Sequence, residues 1–262
     1  MTIKKSGLLK LSASSIKTYE QCPRKWYFTY VTKEPKKDWP HLALGNFVHK
    51  VLELFHERVM NEGAPTDLWG ALLSETCKKV VGDFKLSKEH KVSSKDMLNK
   101  YLALIKAKPP DVVSNEQNFS IQLTEDTLIR GFIDRIDRDV ERGYDIVDYK
   151  TGKSKYLDEF QLLVYGLYLL ETYPDLLHFR GTYIALVEGP KIITYTFTKT
   201  DIERCREDIL LVADKIRNDR TWEPKPQFLC SYCDFESICP AVQQAKFAKT
   251  DGWVTHSNEK RD

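Results

Sequence analysis

The stretch that decides the fold is "GFIDRIDRDVERGYDIVDYKTGK", residues 131–153, in which apolar and polar residues alternate on both sides of a turn signal. Alternation with a period of two predicts β-strands, because successive side chains of a strand point to opposite faces. The sequence therefore predicts strands over 128–138 and 144–150, joined by a short turn near residues 142–143. The stretch is unusual for a hairpin because it carries five aspartates.

Asp148 and Lys150 lie two residues apart and therefore project from one face of the second strand. A carboxylate there can bind Mg²⁺ or Mn²⁺, and the ammonium can orient a water and stabilise charge on a phosphate. The alternative is an exposed ion pair on an edge strand. A phosphate-binding P-loop is excluded, although Gly-Lys-Ser follows at 152–154, because Val147 occupies the position of its first glycine.

The first strand offers further carboxylates in Asp134, Asp137 and Asp139, and the length of the turn decides which of them faces the second strand. A two-residue turn places Asp137 opposite Asp148. A three-residue turn over 141–143 places Asp134 beside Asp148 instead. The residues alone leave both registers open.

Outside the hairpin, helical spacing and strand-like alternation occur in separate blocks of the chain. The spacing predicts helices over 12–30 with a break at Pro23, 43–61, 66–107, 156–172 and 200–218. Alternation predicts a strand over 119–123 and a hairpin over 180–198 that turns at 188–190. This order predicts an α/β fold in which a mixed central β-sheet is flanked by helices.

Four short motifs follow one another on these elements: Gly45-Asn-Phe-Val-His49, Gly131-Phe-Ile-Asp134, Asp148-Tyr-Lys150 and Gln161-Leu-Leu-Val-Tyr165. Their order on helix, strand, strand and helix resembles the PD-(D/E)XK nuclease superfamily, in particular its RecB-like branch. The resemblance implies a restriction-endonuclease-like core. It covers roughly residues 12–60 and 118–240, which leaves the helical stretch 62–117 as an insertion.

The resemblance also implies a role for each motif residue. The implied metal ligands are His49, Asp134, Asp148 and the backbone carbonyl of Tyr149, the implied water-activating residue is Lys150, and the residues implied to line the site and contact DNA are Gln161 and Tyr165. The implied metal is Mg²⁺ or Mn²⁺, and the implied partner is DNA. The residues alone favour an ordinary helix histidine at His49, and Glu53 could be its hydrogen-bond partner or a surface residue.

Cys230, Cys233 and Cys239 cluster near the C-terminus, and Cys22 stands alone near the N-terminus. Four thiols favour zinc by their spacing alone, with a [4Fe–4S] cluster as the alternative. The resemblance implies the cluster, because these cysteines are placed as in the iron–sulfur nucleases of this branch, such as AddB-type nuclease domains and the exonucleases of CRISPR adaptation. There the cluster is a clasp that joins the N- and C-terminal regions.

Composition and charge limit the classes of protein to which the sequence can belong. The 42% hydrophobic content is enough for a core, and residues 1–40 contain nine Lys or Arg against three Asp or Glu. That basic end is compatible with a DNA partner or with a solvated tail. The longest apolar run, residues 162–170, is half the length of a membrane span, and no secretory signal is present. The sequence predicts no membrane association and a cytoplasmic protein, and the resemblance implies a prokaryotic or phage origin.

The resulting hypothesis is a metal-dependent DNA exonuclease that acts on DNA ends or single strands in recombination, repair or CRISPR adaptation, with some endonuclease action. The alternatives are a non-catalytic iron–sulfur module that binds DNA ends and a site-specific endonuclease. The predicted organisation is one nuclease domain over 1–262, with a helical insertion at 62–117 and a cysteine cluster and tail at 222–262. A homo-oligomer or a protein partner stays open.

Overall fold

The computed structural model describes residues 7–139 and 143–243. The chain divides into two compact units. We call one the terminal unit, whose described part is Gly7, 14–37 and 212–243, and the other the sheet unit, which holds 8–13 and the described part of 38–211. The four motifs lie in the sheet unit, and the four clustered cysteines lie in the terminal unit.

Within the described residues, six strands of the sheet unit form one mixed sheet. The strands are β1 (Leu9–Leu11), β2 (Val112–Thr124), β3 (Thr127–Asp139), β4 (Gly143–Lys150), β5 (His178–Ala185) and β6 (Lys191–Thr198). Their order is β1-β3-β4-β5-β6, with β2 paired to β3. The β1–β3 and β4–β5 pairs are parallel and the other pairs are antiparallel.

The helices are α1 (Ala13–Gln21), α2 (Pro23–Trp26), α3 (Pro40–Glu62), α4 (Trp69–Val80), α5 (Lys88–Ala107), α6 (Phe160–Thr172) and α7 (Lys199–Asn218). The mixed sheet and its flanking helices confirm the predicted fold class. The predicted insertion 62–117 contains α4, α5 and the first residues of β2. In the described ranges, each helix is too short or too polar to span a bilayer.

The register of the β3–β4 hairpin corrects the sequence prediction. Asp139 pairs with Gly143, so three residues connect the strands. The connection has three residues, as in the second predicted alternative, but the strands pair at 139 and 143 rather than at 140 and 144. The two-residue alternative, which placed Asp137 opposite Asp148, is wrong, because Asp137 pairs with Asp145.

The two faces of the sheet have different partners. Val147 and Tyr149 of β4 and Ile184 of β5 share one hydrophobic core with α3, α4 and α5. On the other face, Gly181 of β5 lies directly under Leu162 of α6. The glycine permits this close approach, because an added Cβ would lie 2.9 Å from the Phe197 ring and 3.0 Å from Leu162 Cβ. The sheet therefore separates the α3–α5 layer from α6.

Aromatic packing dominates the terminal unit. Trp26 is 3% exposed and stacks on Trp222, with ring centroids 5.2 Å apart. Tyr19 donates a hydrogen bond of 2.9 Å from its hydroxyl to Asp219. These contacts join α1 and α2 to the segment that follows α7, so the unit is built from residues close to both ends of the chain.

Candidate active site

The site lies where β3 and β4 separate. Backbone pairing of the two strands runs as far as Arg135 and Val147. One step further, the Asp134 carboxylate accepts a hydrogen bond of 2.7 Å from the backbone N–H of Tyr149. A side chain here takes the place of a main-chain acceptor, which fixes the carboxylate between the strands. Asp134 and Asp148 are 9% and 2% exposed.

Helix α3 brings His49 to this point. Its Nδ1 atom lies 3.3 Å from the Asp134 carboxylate. The helix approaches closely because Gly45, one turn earlier, has no side chain: a Cβ at this position would lie 3.1 Å from the Thr151 hydroxyl just after β4. The G-x-x-x-H spacing thus has a physical reason, since the glycine provides the close approach and the histidine provides the contact.

Helix α6 contributes two further side chains to the site, Gln161 and Tyr165. Lys150 Nζ lies 2.6 Å from the Asp148 carboxylate and donates to the Gln161 side-chain oxygen at 2.8 Å. The Gln161 amide in turn donates to Asp148 at 2.8 Å and to the Tyr165 hydroxyl. Gln161 and Tyr165 face the same way because they are four residues apart on a helix. The structure brings all six predicted side chains together.

The electrostatics of the site follow from two buried carboxylates facing each other. Burial raises the pKa of Asp148 to about 6, and the Asp134 carboxylate adds to the rise, while Lys150 and His49 oppose it. Burial by itself lowers the pKa of His49, but hydrogen bonding and attraction to Asp134 outweigh it, so the pKa is raised overall. The site therefore favours positive charge next to these carboxylates.

The donor set suits a hard divalent cation. Asp134 and Asp148 supply carboxylate oxygens and His49 supplies a nitrogen, a combination compatible with Mg²⁺ or Mn²⁺. Among the residues the structure describes, no three His, Cys, Asp or Glu side chains stand in ligating geometry. In this structure Lys150 pairs with the Asp148 carboxylate, and the His49 ring contacts the Asp134 carboxylate. The residues fit a cation that would bind between these two carboxylates.

Comparison with known protein families identifies the superfamily of this chain. The family model of the PD-(D/E)XK nuclease superfamily matches residues 10–240. The chain belongs to the PD-(D/E)XK nuclease superfamily. This match confirms the family resemblance inferred from the four motifs at the level of the superfamily.

Curated relatives are similar over part of the chain. One subunit of an ATP-dependent helicase/deoxyribonuclease from Clostridium perfringens is 32% identical over 202 residues, which cover 60% of this chain and 17% of the relative. The helicase/deoxyribonuclease subunit of the same name from Streptococcus agalactiae is 26% identical over 164 residues, covering 56% and 14%. The chain thus matches less than a fifth of the length of these two proteins.

Among solved structures, a protein from Eubacterium rectale that is provisionally classed as an exonuclease aligns with 98% of this chain and 91% of its own. The two are 13% identical and superpose with a TM-score of 0.49.

Two further carboxylates, Glu116 and Glu53, lie near the predicted site residues. Glu116 of β2 lies between the residues that pair with Arg135 and Ile133 on β3, which places it opposite Asp134. Burial raises the pKa of Glu116 to about 7, and Asp134 and Glu53 add to the rise. Sequence reasoning missed Glu116 because it began this strand at residue 119. The signal that could have found it is the polar run 114–118 before the alternating residues.

Glu53 is not placed as a partner of His49. Its carboxylate lies 2.6 Å from Lys50 Nζ, and its backbone oxygen accepts a hydrogen bond from Asn115. His49 Nδ1 instead faces Asp134. Of the two sequence alternatives, the partner of His49 is therefore not observed, and Glu53 is a partly exposed residue paired with Lys50.

A buried polar network lies behind the site, on the α3–α5 side of the sheet. The Arg135 guanidinium donates to the hydroxyls of Tyr101 and Tyr149 and lies 2.8 Å from the Asp137 carboxylate. The Tyr101 hydroxyl also contacts the ring of His56 at 2.6 Å. Burial and the nearby Arg135 lower the pKa of His56, which keeps its ring neutral. The network ties α3 and α5 to the strands that carry Asp134 and Asp148.

The four clustered cysteines meet in the terminal unit. Cys22, Cys230, Cys233 and Cys239 all line one cavity, with Phe28, Leu229, Phe235 and Val242 among its other walls. Burial raises the pKa of the Cys233 thiol, and Cys22 lies close enough to contribute to the shift. The fold thus brings the N-terminal cysteine to the C-terminal triplet, while the ligating geometry of a single ion is absent from the described residues.

Proposed function

We propose that the chain is a divalent-metal-dependent DNA exonuclease that hydrolyses phosphodiester bonds at DNA ends or in single strands. The observation that carries the proposal is the convergence of His49, Asp134, Asp148 and Lys150 at the point where β3 and β4 separate. Membership of the nuclease superfamily and the deoxyribonuclease names of the curated relatives support it.

The cation would be held by Asp134, Asp148 and His49, with the Tyr149 backbone carbonyl as a further ligand. When bound, it would supply Lewis-acid polarisation of the scissile phosphate and a water of lowered pKa. Asp134 is already fixed by the Tyr149 N–H, and Asp148 by Lys150 and Gln161. Both carboxylates would therefore meet the cation with little loss of side-chain entropy.

Lys150 would hold the attacking water and stabilise the negative charge that develops on the phosphate. Its ammonium is oriented by two acceptors, the Asp148 carboxylate and the Gln161 side-chain oxygen. Gln161 therefore acts as a positioning residue for Lys150. Tyr165 supports Gln161 through its hydroxyl and is buried except for 6% of its surface. This arrangement leaves Lys150 as the cationic group aimed at the substrate.

The four cysteines would hold a [4Fe–4S] cluster. A zinc ion requires its sulfurs about 2.3 Å from one point, whereas a cluster spreads its four ligands over separate irons. All four thiols line one cavity, and the placement of the cysteines along the chain, which resembles that in the iron–sulfur nucleases, favours the cluster over zinc. When bound, the cluster would supply a cross-link between two segments that are far apart in the sequence.

The biological setting proposed with this activity is a bacterial or phage-encoded cytoplasmic protein of recombination, repair or CRISPR adaptation. The curated relatives are bacterial helicase/deoxyribonuclease subunits, which favours DNA processing. The second candidate function, a non-catalytic module that binds DNA ends, is disfavoured by the complete set of His49, Asp134, Asp148 and Lys150.

The test is cleavage of end-labelled single-stranded and duplex DNA by anaerobically purified protein with Mg²⁺ or Mn²⁺. We expect progressive shortening that stops in EDTA and in Lys150→Ala, and that persists in Lys199→Ala, a lysine substitution at an exposed helix start. Discrete internal bands would indicate a site-specific endonuclease. A folded wild-type protein that binds DNA without cleaving it would contradict the enzymatic proposal and favour the binding module.

A further inference from the structure

A short lysine-bearing loop separates the two halves of the active site. It leaves β4 after Lys150 and reaches α6 just before Gln161, so both of its ends carry residues of the site. Between them lie Lys153, Lys155 and Tyr156, all exposed. Ten residues join Lys150 to Gln161, so every loop residue lies within five positions of one of these two, a reach of at most about 18 Å.

The loop is held in place although its tip is exposed. Ser154 is buried, and its backbone N–H donates to the Glu188 carboxylate at 3.0 Å. Its hydroxyl accepts a hydrogen bond of 3.1 Å from Lys191. Residues Ser154–Tyr156 form one 3₁₀ turn. The β5–β6 connection therefore fixes the loop, and little conformational entropy would be lost when a ligand binds to it.

Tyr156 presents a large aromatic surface at this fixed position. It is 75% exposed, whereas the site tyrosine Tyr165 is 6% exposed. Lys155 Nζ lies 4.8 Å from the centroid of the Tyr156 ring. The ammonium lies over one face of the ring. An exposed aromatic ring accompanied by lysines is the combination that binds single strands, because bases stack on aromatic faces while lysines contact the adjoining phosphates.

We propose that Tyr156 is a stacking platform for an unpaired nucleotide of the substrate strand, with Lys153 and Lys155 contacting the neighbouring phosphates. The proposal rests on the proposed nuclease function and defines its substrate class. A base inside a duplex has both faces covered by its neighbours, whereas an unpaired base can offer a face to Tyr156. The loop therefore selects single strands or unpaired overhangs over uninterrupted duplex.

The experiment measures binding rather than cleavage, in the Lys150→Ala background with Mg²⁺. The probe is a single-stranded oligonucleotide with one 2-aminopurine, and anisotropy gives its affinity while 2-aminopurine quenching reports stacking. Tyr156→Ala and Tyr156→Trp are compared with Leu177→Ala. Leu177 is the matched control, since it is also 75% exposed but precedes β5 at the end of the sheet away from Lys150.

We expect Tyr156→Ala to weaken single-strand binding by at least about fivefold and to abolish quenching, because base stacking on an aromatic residue accounts for that much affinity or more. Tyr156→Trp should retain both, and Leu177→Ala should behave like the parent. The double change Lys153→Ala and Lys155→Ala should reduce the salt dependence of binding by about 0.7 in slope per lost contact, in contrast to Lys199→Ala.

Two results would overturn the inference. One is unchanged single-strand affinity and quenching in Tyr156→Ala. The other is an equal loss on an uninterrupted duplex, which would mean that stacking on an unpaired base is not the cause. The cleavage assay separates this inference from the proposed function. If the wild-type protein cleaves DNA and Tyr156→Ala leaves single-strand affinity and quenching unchanged, only the inference is refuted. Stacking by a protein without nuclease activity refutes only the function.

Discussion

At the scale of single residues, the site concentrates carboxylates whose ionisation opposes folding. Burial raises the pKa of Asp148 to about 6 and that of Glu116 to about 7. Because the folded-state pKa lies above the unfolded one, the unfolded chain releases its proton first as the pH rises. Each group therefore lowers the free energy of unfolding, and so the stability, as the pH rises through this window, and a bound cation would offset that loss.

Glu116→Gln tests this linkage. In EDTA we expect the substitution to raise the melting temperature at pH 8, where ionised Glu116 faces Asp134 and Glu53, and to have little effect at pH 5. The effect is on the order of 1–2 kcal/mol, or roughly 2–8 °C, because the side chain is only half-buried. Differential scanning fluorimetry at pH 5, 6, 7 and 8 measures it.

The matched control is Glu125→Gln, which changes an exposed glutamate. It should leave the melting temperature unchanged at every pH. A melting temperature of Glu116→Gln that runs parallel to that of wild type from pH 5 to 8 would show that Glu116 carries no raised pKa.

At the scale of secondary-structure elements, the packing of two helices, α6 and α5, positions the side chains of the site. Helix α6 carries Gln161 and lies so close to its neighbours that a Cβ at Gly166 would come within 2.4 Å of Ile202 and 2.5 Å of Phe179. Helix α5 reaches the back of β3 and β4 through Tyr101, whose hydroxyl contacts the buried Arg135 of β3 and the Tyr149 hydroxyl of β4. Helix α6 is therefore positioned by close packing, and helix α5 by hydrogen bonds.

Gly166→Ala should destabilise the protein by about 1–3 kcal/mol, because the added methyl group overpacks the space between α6, β5 and α7. It should also lower nuclease activity, since α6 would have to shift together with Gln161. Thermal unfolding and the cleavage assay measure the two effects.

Gly70→Ala is the matched control for Gly166→Ala. Its helix, α4, leaves room for the methyl group, with the nearest atom 3.9 Å away. It should be neutral or stabilising by up to about 1 kcal/mol, because alanine favours the helix over glycine. Equal destabilisation by both changes would mean that close packing at α6 is not the cause.

Tyr101→Phe should destabilise the protein by about 1–3 kcal/mol, because the buried Arg135 guanidinium and the His56 ring each lose a hydrogen-bond partner. Denaturant unfolding compares it with Tyr195→Phe, a change on the partly exposed strand β6. A neutral Tyr101→Phe would indicate that the network tolerates the loss of one hydroxyl.

At the scale of the whole molecule, the chain ends form a unit of their own. The terminal unit brings residues 14–37 and 212–243 together, and its cavity is lined by all four clustered cysteines. A group bound to Cys22 and to the C-terminal triplet would close a loop of about two hundred residues. The chain-entropy gain of closing so long a loop is large, so the cysteines should matter strongly for the stability of this unit.

Cys22→Ser is expected to remove the bound iron and to lower hydrogen-exchange protection over 14–37 and 212–243. The anaerobic wild-type protein should show broad visible absorption and about four irons per chain. Cys77→Ser, which changes a half-buried cysteine of the sheet unit, should retain both. Zinc without visible absorption would refute the cluster, and unchanged iron in Cys22→Ser would refute Cys22 as a ligand.

The sequence predicted most of the secondary structure because hydrophobic periodicity is a local property. It predicted α3, α6, α7 and the two hairpins within a few residues of their observed bounds. It missed β1, whose three residues form a strand through parallel pairing with β3. It also began β2 too late, because residues 112–118 lack alternation and are strand only through pairing with β3. Elements that exist because of a distant partner leave little local signal.

By itself, the sequence determined the family and the residue types of the site, because four motifs with fixed spacing need no distance measurement. The tertiary structure decided which aspartate lies next to β4 at the candidate site: pairing of Asp139 with Gly143, together with the hydrogen bond from the Tyr149 N–H, places Asp134 there rather than Asp137. It also decided that Glu116 faces Asp134 and that Cys22 joins the C-terminal triplet. These outcomes depend on strand register and on the meeting of segments far apart in the chain, which local patterns do not encode.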